Sequence, residues 1–453
     1  MTSTKQKQNK AGSYVHIVGI CGVTMAPLAV LYKNMGWKVT GSDRGFFPPM
    51  STYLEENGIK IMPGFKAEHL KENPDFVLVM AFITESNPEI LEAKQKNIPV
   101  KVYADVLPEL IERQNSVVIS GDCGKTSTTA AVSWLLQSAG YNPSFMIGGI
   151  PKNFEHGIRK TDSLWSVMEG DEYVASSWDK TPRFLYYNPK YLILTDARWD
   201  HMDKYETEEE YVDIFRKLAN KVPSDGVIIA NKKGRNIDKI IGSLTSSKKP
   251  EVIFYTEDDS RDFKLPFMGK IWAENLGAAI KLARRIGIKD KEIQRGLSSF
   301  SGVKRRQEVR FRGERVVVID DNAHTPVKVS GGLEALSQMF PDYKFLVVYE
   351  PGNRSAAALN DKGYKDCFMK ADSVILPKVS SASSDVQEFN GKLAQSIGSF
   401  YGDLAYIDND EEVIARIKKI ADNAIGLREK LAVVFMSQKG FRRMMEDSIS
   451  LLR

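Results

Sequence analysis

Between residues 116 and 132 the sequence reads SVVISGDCGKTSTTAAV: a β-branched run, a glycine turn, a Gly-Lys-Thr triplet and a helix-forming stretch. Glycines at 121 and 124 let backbone N–H groups turn toward an anion, and the helix start adds partial positive charge. Lys125 brings a mobile cation, and the Thr126 hydroxyl can ligate a divalent ion. That is the chemistry of gripping a polyphosphate. The strict spacing of such a loop fails, because Ile119 stands where its first Gly belongs. The plain alternative is an ordinary strand-to-helix turn. Asp122 sits oddly in a loop meant for an anion. A carboxylate 4 Å from a phosphate oxygen costs about 1 kcal/mol per charge pair in water, and about 4 kcal/mol at an effective dielectric near 20.

Two acidic stretches follow. MEGDEY (168–173) and WDHMD (199–203) put Glu169, Asp171, Glu172, Asp200, His201 and Asp203 just after two strands expected in the same sheet. Hard oxygen ligands with one imidazole suit a Mg²⁺ shared with triphosphate oxygens. A solvated acidic loop with a structural His is the alternative. Earlier, GICGVTM (19–25) makes a tight glycine turn after the first strand, short of a full G-x-G-x-x-G. Asp43 ends the second strand, about where an acid would accept from a ribose hydroxyl. Simple close packing of helix on strand explains the same glycines. Further on, IDDNAH (319–324) and GNR (352–354) lie at strand ends and could offer a carboxylate and a cation to a nucleotide.

These groups need scaffolds. YVHIVGI, KVTGSD, DFVLVMA and IPVKVY read as strands alternating with helices, the pattern of a parallel sheet covered on both faces. A new series opens at SVVIS and runs through KYLIL and GVIIANKK to the helix WAENLGAAIKLARRIG. A third has RVVVIDD, KFLVVYE, SVILPKV and KLAVVFMS. The expectation is a three-domain α/β protein. It has a polar, disordered start (1–13), a Rossmann-like domain (14–113), a phosphate-loop ATP-binding domain (114–303) and a second Rossmann-like domain (304–453).

A chain of 453 residues exceeds one ordinary core. Its net charge of +5 is scattered rather than gathered into a stripe, which argues against a nucleic-acid partner. Cys21, Cys123 and Cys367 are too few and too far apart for a disulfide frame or zinc site, so a reducing, cytoplasmic setting is expected. The apolar run VHIVGICGVTMAPLAVLY imitates a signal peptide, but it reads as strand, turn and helix. No other stretch approaches a membrane span.

With these residues in view, the chain resembles the Mur ligases, three-domain ATP-dependent muropeptide ligases, from about residue 14 to 445. The matching segments are GICG with GSDRGFFPPMSTYLEENGI, IGGIPKNFE, EGDEY with DKTPRFLYYNPKYLIL, DHMD and IDDNAHTP. Pairing of PPMSTYLEE with GGIPKNFE points to the branch that joins UDP-N-acetylmuramate to the peptide L-alanyl-γ-D-glutamyl-meso-diaminopimelate. The alanine-adding branch is the alternative, and a folylpolyglutamate-type ligase would share only the central loop. The resemblance implies phosphorylation of the lactoyl carboxylate by ATP, then attack of the amine on the acyl phosphate. It also implies that Gly19, Gly22 and Asp43 hold UDP and that Asn153 faces the sugar. Gly121, Gly124, Lys125 and Thr126 would cradle the ATP phosphates, while Thr126, Glu169 and His201 would bind Mg²⁺. Asn275 would touch the adenosine, and Asp321, His324 and Arg354 would approach from the third domain.

Several positions depart from the family pattern. Asp122 replaces Thr, Arg198 replaces Glu, Ile271-Trp272 replaces His-Asn, and Val174 replaces Asp. Asn322 and Thr325 stand in the family's DDFAHHP, and Ala81 replaces a polar residue. The opposite signs of the first two changes suggest an Asp122–Arg198 ion pair, and Trp272 is a candidate to stack on adenine. A homologue that binds nucleotide without turnover is the competing expectation.

Overall fold

The computed structural model describes residues 12–46, 50–199, 204–245, 249–351, 364, 366–378, 392–395, 398, 403–438 and 440–453. Three sheets carry the fold. The first is wholly parallel, with β1 (Tyr14–Val18), β2 (Lys38–Asp43), β3 (Ile61–Pro63), β4 (Phe76–Val79) and β5 (Val100–Val102) in the order β3-β2-β1-β4-β5. Every residue of β1 is buried, as a strand covered by helices on both faces must be. The expected strand, turn and helix of the apolar start are β1 and the helix Met25–Asn34. Among the described residues no helix is long and apolar enough to cross a membrane.

The second sheet holds β6 (Asn115–Ser120), β7 (Ser144–Met146), β8 (Ile158–Arg159), β9 (Trp165–Gly170), β10 (Tyr191–Leu194), β11 (Val227–Asn231) and β12 (Glu251–Tyr255). Their order is β12-β11-β10-β6-β9-β7-β8, parallel except for β8. β6 therefore lies between β9 and β10, and the loops leaving all three strands emerge at one end of the sheet. The third sheet runs β13 (Glu308–Arg312), β14 (Val316–Asp321), β18 (Lys430–Ser437), β15 (Tyr343–Glu350), β16 (Ser373–Pro377) and β17 (Leu404–Ile407). Only β13 is antiparallel.

Cα packing divides the chain into two compact units. One comprises Met1–Tyr255 with Ala278–Gly296, and the other Thr256–Gly277 with Leu297–Arg453. Within the first unit one hydrophobic cluster takes in Ile17, Leu28 and Leu107 around the first sheet, and Val118, Leu192 and Phe215 around the second. Arg183 fastens the same region. It pairs with Asp171, and its guanidinium lies 5.0 Å from the Tyr103 ring centroid and 5.4 Å from that of Tyr173.

Candidate active site around the phosphate loop

β6 ends at Ser120, and the helix Lys125–Ser138 begins four residues after Gly121. Gly121 has φ +142°, and a Cβ there would lie 2.5 Å from the Asp196 carbonyl oxygen. Only glycine fits without displacing the neighbouring strand end. The loop is anchored on that end: Asp122 N donates to Asp196 O (3.0 Å), and Thr195 Oγ1 donates to Cys123 O (2.6 Å). Gly124, with φ +85°, caps the helix start.

Lys125 Nζ reaches Glu172 Oε2 and Oε1 at 2.7 and 3.0 Å and hydrogen-bonds to the Gly121 carbonyl. The Glu172 backbone carbonyl accepts from Tyr205 OH (2.6 Å). Glu172 belongs to the acidic stretch read from sequence, but its partnership with Lys125 was not foreseen. The stretch itself was the available signal, and spacing alone gives no distance between a β9 loop and a helix on β6.

Thr126 Oγ1 donates to Glu169 Oε1 (3.0 Å), and Gly148 N donates to Glu169 Oε2 (2.8 Å). A Cβ on Gly148 would stand 2.6 Å from Glu169 Oε1, so the carboxylate is seated against bare backbone. Two hard oxygens thus converge beside the loop, a donor set that fits a Mg²⁺ ion. Asp200, His201 and Asp203 lie outside the described residues, and so does Arg354.

The Asp122–Arg198 pair expected from opposite charges is not what forms. Arg198 Nε lies 3.6 Å from Asp196 Oδ2, so the loop's own Asp196 takes the guanidinium. Burial pushes the Asp196 carboxyl up, Arg198 pulls it back, and nearby Asp122 adds to the rise. Asp122 is itself buried, and its Oδ2 accepts from the Cys123 thiol at 3.1 Å. The reason is local: two residues apart on one loop, Asp196 and Arg198 meet at little conformational cost.

At the first sheet, Gly19 N and Ile20 N donate to Ser42 O (2.8 and 3.1 Å). The Asp43 carboxylate accepts from Cys21 N (2.9 Å) and Arg44 N (2.7 Å), tying the turn that contains Gly22 to the end of β2. Asn153 is half-buried in the segment after β7. Three residues on, His156 Nδ1 lies 2.7 Å from Tyr53 OH, with the rings edge to face at 5.4 Å. The segments PPMSTYLEE and GGIPKNFEH therefore touch through Tyr53 and His156.

In the other unit, Asp321 ends β14 and is buried, which pushes its carboxyl up to about 7 despite opposing pull from Arg306. His324 Nδ1 lies 2.7 Å from Asn322 O, and the His324 carbonyl accepts from Tyr349 OH (2.8 Å). Asn275 is buried on the helix Lys270–Arg285. Trp272, one turn earlier, does not offer a face to adenine as expected. It stacks on Phe267 with centroids 4.3 Å apart, donates from Nε1 to Gln307 Oε1 (2.7 Å) and is only 2% exposed. A buried indole whose N–H has a polar partner is a core anchor.

The model of the Mur ligase family catalytic domain matches residues 14–115, and that of the Mur ligase middle domain matches residues 119–265. A ligase of Escherichia coli, UDP-N-acetylmuramate–L-alanyl-γ-D-glutamyl-meso-2,6-diaminoheptandioate ligase, is 32% identical over 358 residues, 74% of this chain and 78% of that protein. The chain belongs to the Mur ligase family. The UDP-N-acetylmuramate–L-alanine ligase of Rhizobium etli is 30% identical across 84% of this chain and 85% of that protein. A murein peptide ligase of Psychrobacter arcticus has the same fold with a TM-score of 0.73 and 24% identity, covering 97% of this chain and 99% of that one. The family's members are ATP-dependent ligases that form amide bonds, and the α/β architecture with three sheets is theirs.

Proposed function

We propose that this chain joins the lactoyl carboxylate of UDP-N-acetylmuramate to the amine of L-alanyl-γ-D-glutamyl-meso-diaminopimelate, at the expense of ATP. The observation that carries the proposal is the phosphate loop with Lys125 at its rim and the Thr126–Glu169 oxygen pair beside it. The Escherichia coli relative and the contact between Tyr53 and His156 support the tripeptide as acceptor.

In this reading the domains are residues 14–113, 114–303 and 304–453. The helix start at Gly124–Thr126 presents backbone N–H groups to the ATP phosphates, and Lys125 exchanges Glu172 for phosphate oxygen. Thr126, Glu169 and His201 would hold Mg²⁺, which when bound supplies charge neutralisation at the phosphates. The γ-phosphoryl group passes to the carboxylate, giving an acyl phosphate and ADP. The peptide amine then attacks the acyl carbon, loses a proton and expels phosphate. Gly19, Gly22 and Asp43 grip the UDP end, and Asn153 faces the sugar. Asn275 contacts the adenosine, while Asp321, His324 and Arg354 serve the reacting end from the C-terminal domain. A positioned, water-poor site protects the acyl phosphate from hydrolysis. The setting is the cytoplasm, with no nucleic-acid or membrane partner.

The test is phosphate release from ATP with Mg²⁺ and UDP-N-acetylmuramate, comparing tripeptide, L-alanine and no acceptor. Release that depends on tripeptide is the expected result. Dependence on L-alanine would move the chain to the alanine-adding activity that the Rhizobium etli relative's similarity favours. ATP binding without release under any condition would overturn ligase activity and leave a nucleotide-binding homologue, which Asp122 in the loop favours.

A further inference from the structure

Away from the phosphate loop, three side chains from three elements converge under the first sheet. His16 lies on β1, His69 on the short helix Ala67–Leu70, and Glu89 in the first turn of the helix Pro88–Gln95. His16 Nε2 is 3.5 Å from Glu89 Oε1, and His69 Nδ1 is 2.6 Å from the same oxygen. One ligand atom from each residue falls within 4.8 Å of the other two. We propose that His16 Nε2, His69 Nδ1 and Glu89 Oε1 form a site for a divalent transition-metal ion, with Zn²⁺ as the fitting species.

Four features carry this. First, the donor set of two imidazoles and one carboxylate is that of three-ligand zinc sites, whereas Mg²⁺ and Ca²⁺ favour oxygen. Second, an outer shell already orients the ligands: Thr40 Oγ1 sits 2.8 Å from His16 Nδ1, and Ser42 Oγ donates to Glu89 Oε2 (2.7 Å). With Nδ1 engaged by Thr40, Nε2 is the nitrogen left to face the centre. Third, His16 Nε2 is fully buried and makes no hydrogen bond. Fourth, Glu89 is buried without a Lys or Arg ion-pair partner among the described residues.

The spacing also fits. Ligands about 2.1 Å from a tetrahedral ion stand about 3.4 Å apart, so the His16–Glu89 distance is already right. The His69–Glu89 contact must open by less than about 1 Å, with the imidazole proton on Nε2 so that Nδ1 offers its lone pair. His69 can move, because its side chain is 14% exposed where the other two are fully enclosed. That exposed edge is the way in and leaves room for a water as fourth ligand. The Ser42 that holds Glu89 also receives the Gly19 and Ile20 amides, so an ion here would stiffen the glycine turn.

The full chain, stripped of metal, is titrated with Co²⁺ in excess Mg²⁺ that occupies oxygen-rich sites, and followed by electronic absorption. One equivalent is expected to give the intense bands of a low-coordinate ion, to be displaced by Zn²⁺, and Zn²⁺ is expected to raise the thermal midpoint. His69→Gln, on the exposed side, should keep the metal-free midpoint while weakening Co²⁺ at least about 100-fold. A Co²⁺ spectrum no different from the hydrated ion, or equal affinity in wild type and His69→Gln, overturns the proposal. Should His69→Gln fail to fold, the wild-type spectrum and its Zn²⁺-dependent midpoint decide alone.

Discussion

The ammonium of Lys125 lies 2.7 Å from Glu172 Oε2, and the Glu172 side chain is only 2% exposed. The cation of the phosphate loop is therefore already neutralised by the protein, and an incoming phosphate must compete for it. Glu172→Gln removes the competitor. ATP should bind about fivefold more tightly, roughly 1 kcal/mol, while the chain loses about 1–3 kcal/mol of stability because Lys125 keeps its partly buried charge without its ion-pair partner. Calorimetric titration and thermal unfolding check both. Tenfold weaker ATP binding would instead mean that Glu172 aims the lysine.

Asp122 is a second opposing charge, buried beside Asp196 rather than matched to Arg198. Asp122→Thr, the residue the family pattern carries, should tighten ATP binding by fivefold or more, about 1 kcal/mol at the least. Relief of the two facing acids should leave stability equal or higher. Unchanged affinity would show that the carboxylate turns away when nucleotide binds.

For Asp321 the sign follows from burial. Its folded value, about 7, exceeds the ordinary 3.8, so between those values the folded chain holds a proton that the unfolded chain has lost. Stability from this group is full below about pH 4, declines toward pH 7, and stays low above it. Asp321→Asn should therefore raise the thermal midpoint at pH 8 by about 3 °C or more, and change it little at pH 4. A pH-independent shift would refute this.

Trp272 packs as a core anchor, so its polar bond can be removed without touching nucleotide. Trp272→Phe keeps the stacking on Phe267 and removes the hydrogen bond to half-buried Gln307, at a cost of about 0.5–1.5 kcal/mol. ATP affinity should stay within about twofold, a change too small for loss of a stacking partner. A large loss of affinity with normal stability would restore adenine stacking.

The parts of this molecule that were legible in the sequence are those encoded locally. The apolar runs of β1, β6 and β18 announce strands buried on both faces, and Gly121 to Thr126 announces the loop between β6 and its helix. The short strands β3, β7 and β8 escaped, because two or three residues carry no periodicity. So did β13, whose EVRFR alternates at a sheet edge. Partnerships were harder still. Arg198 could be seen to oppose Asp122 in sign, but only the fold of the β10 loop turns it to Asp196. His16, His69 and Glu89 lie far apart in the chain and meet only through the order β3-β2-β1-β4-β5.

The hydrophobic cluster that runs from Ile17 through Leu107 to Phe215 has a consequence for synthesis. A nascent chain that ends near residue 113 holds Leu107 and Ile111 but lacks the members of the same cluster on β6, β10 and the helix Glu208–Ala219. Folding of the opening Rossmann-like segment should therefore wait on about another hundred residues of translation, a window in which chaperones find it and truncated fragments aggregate.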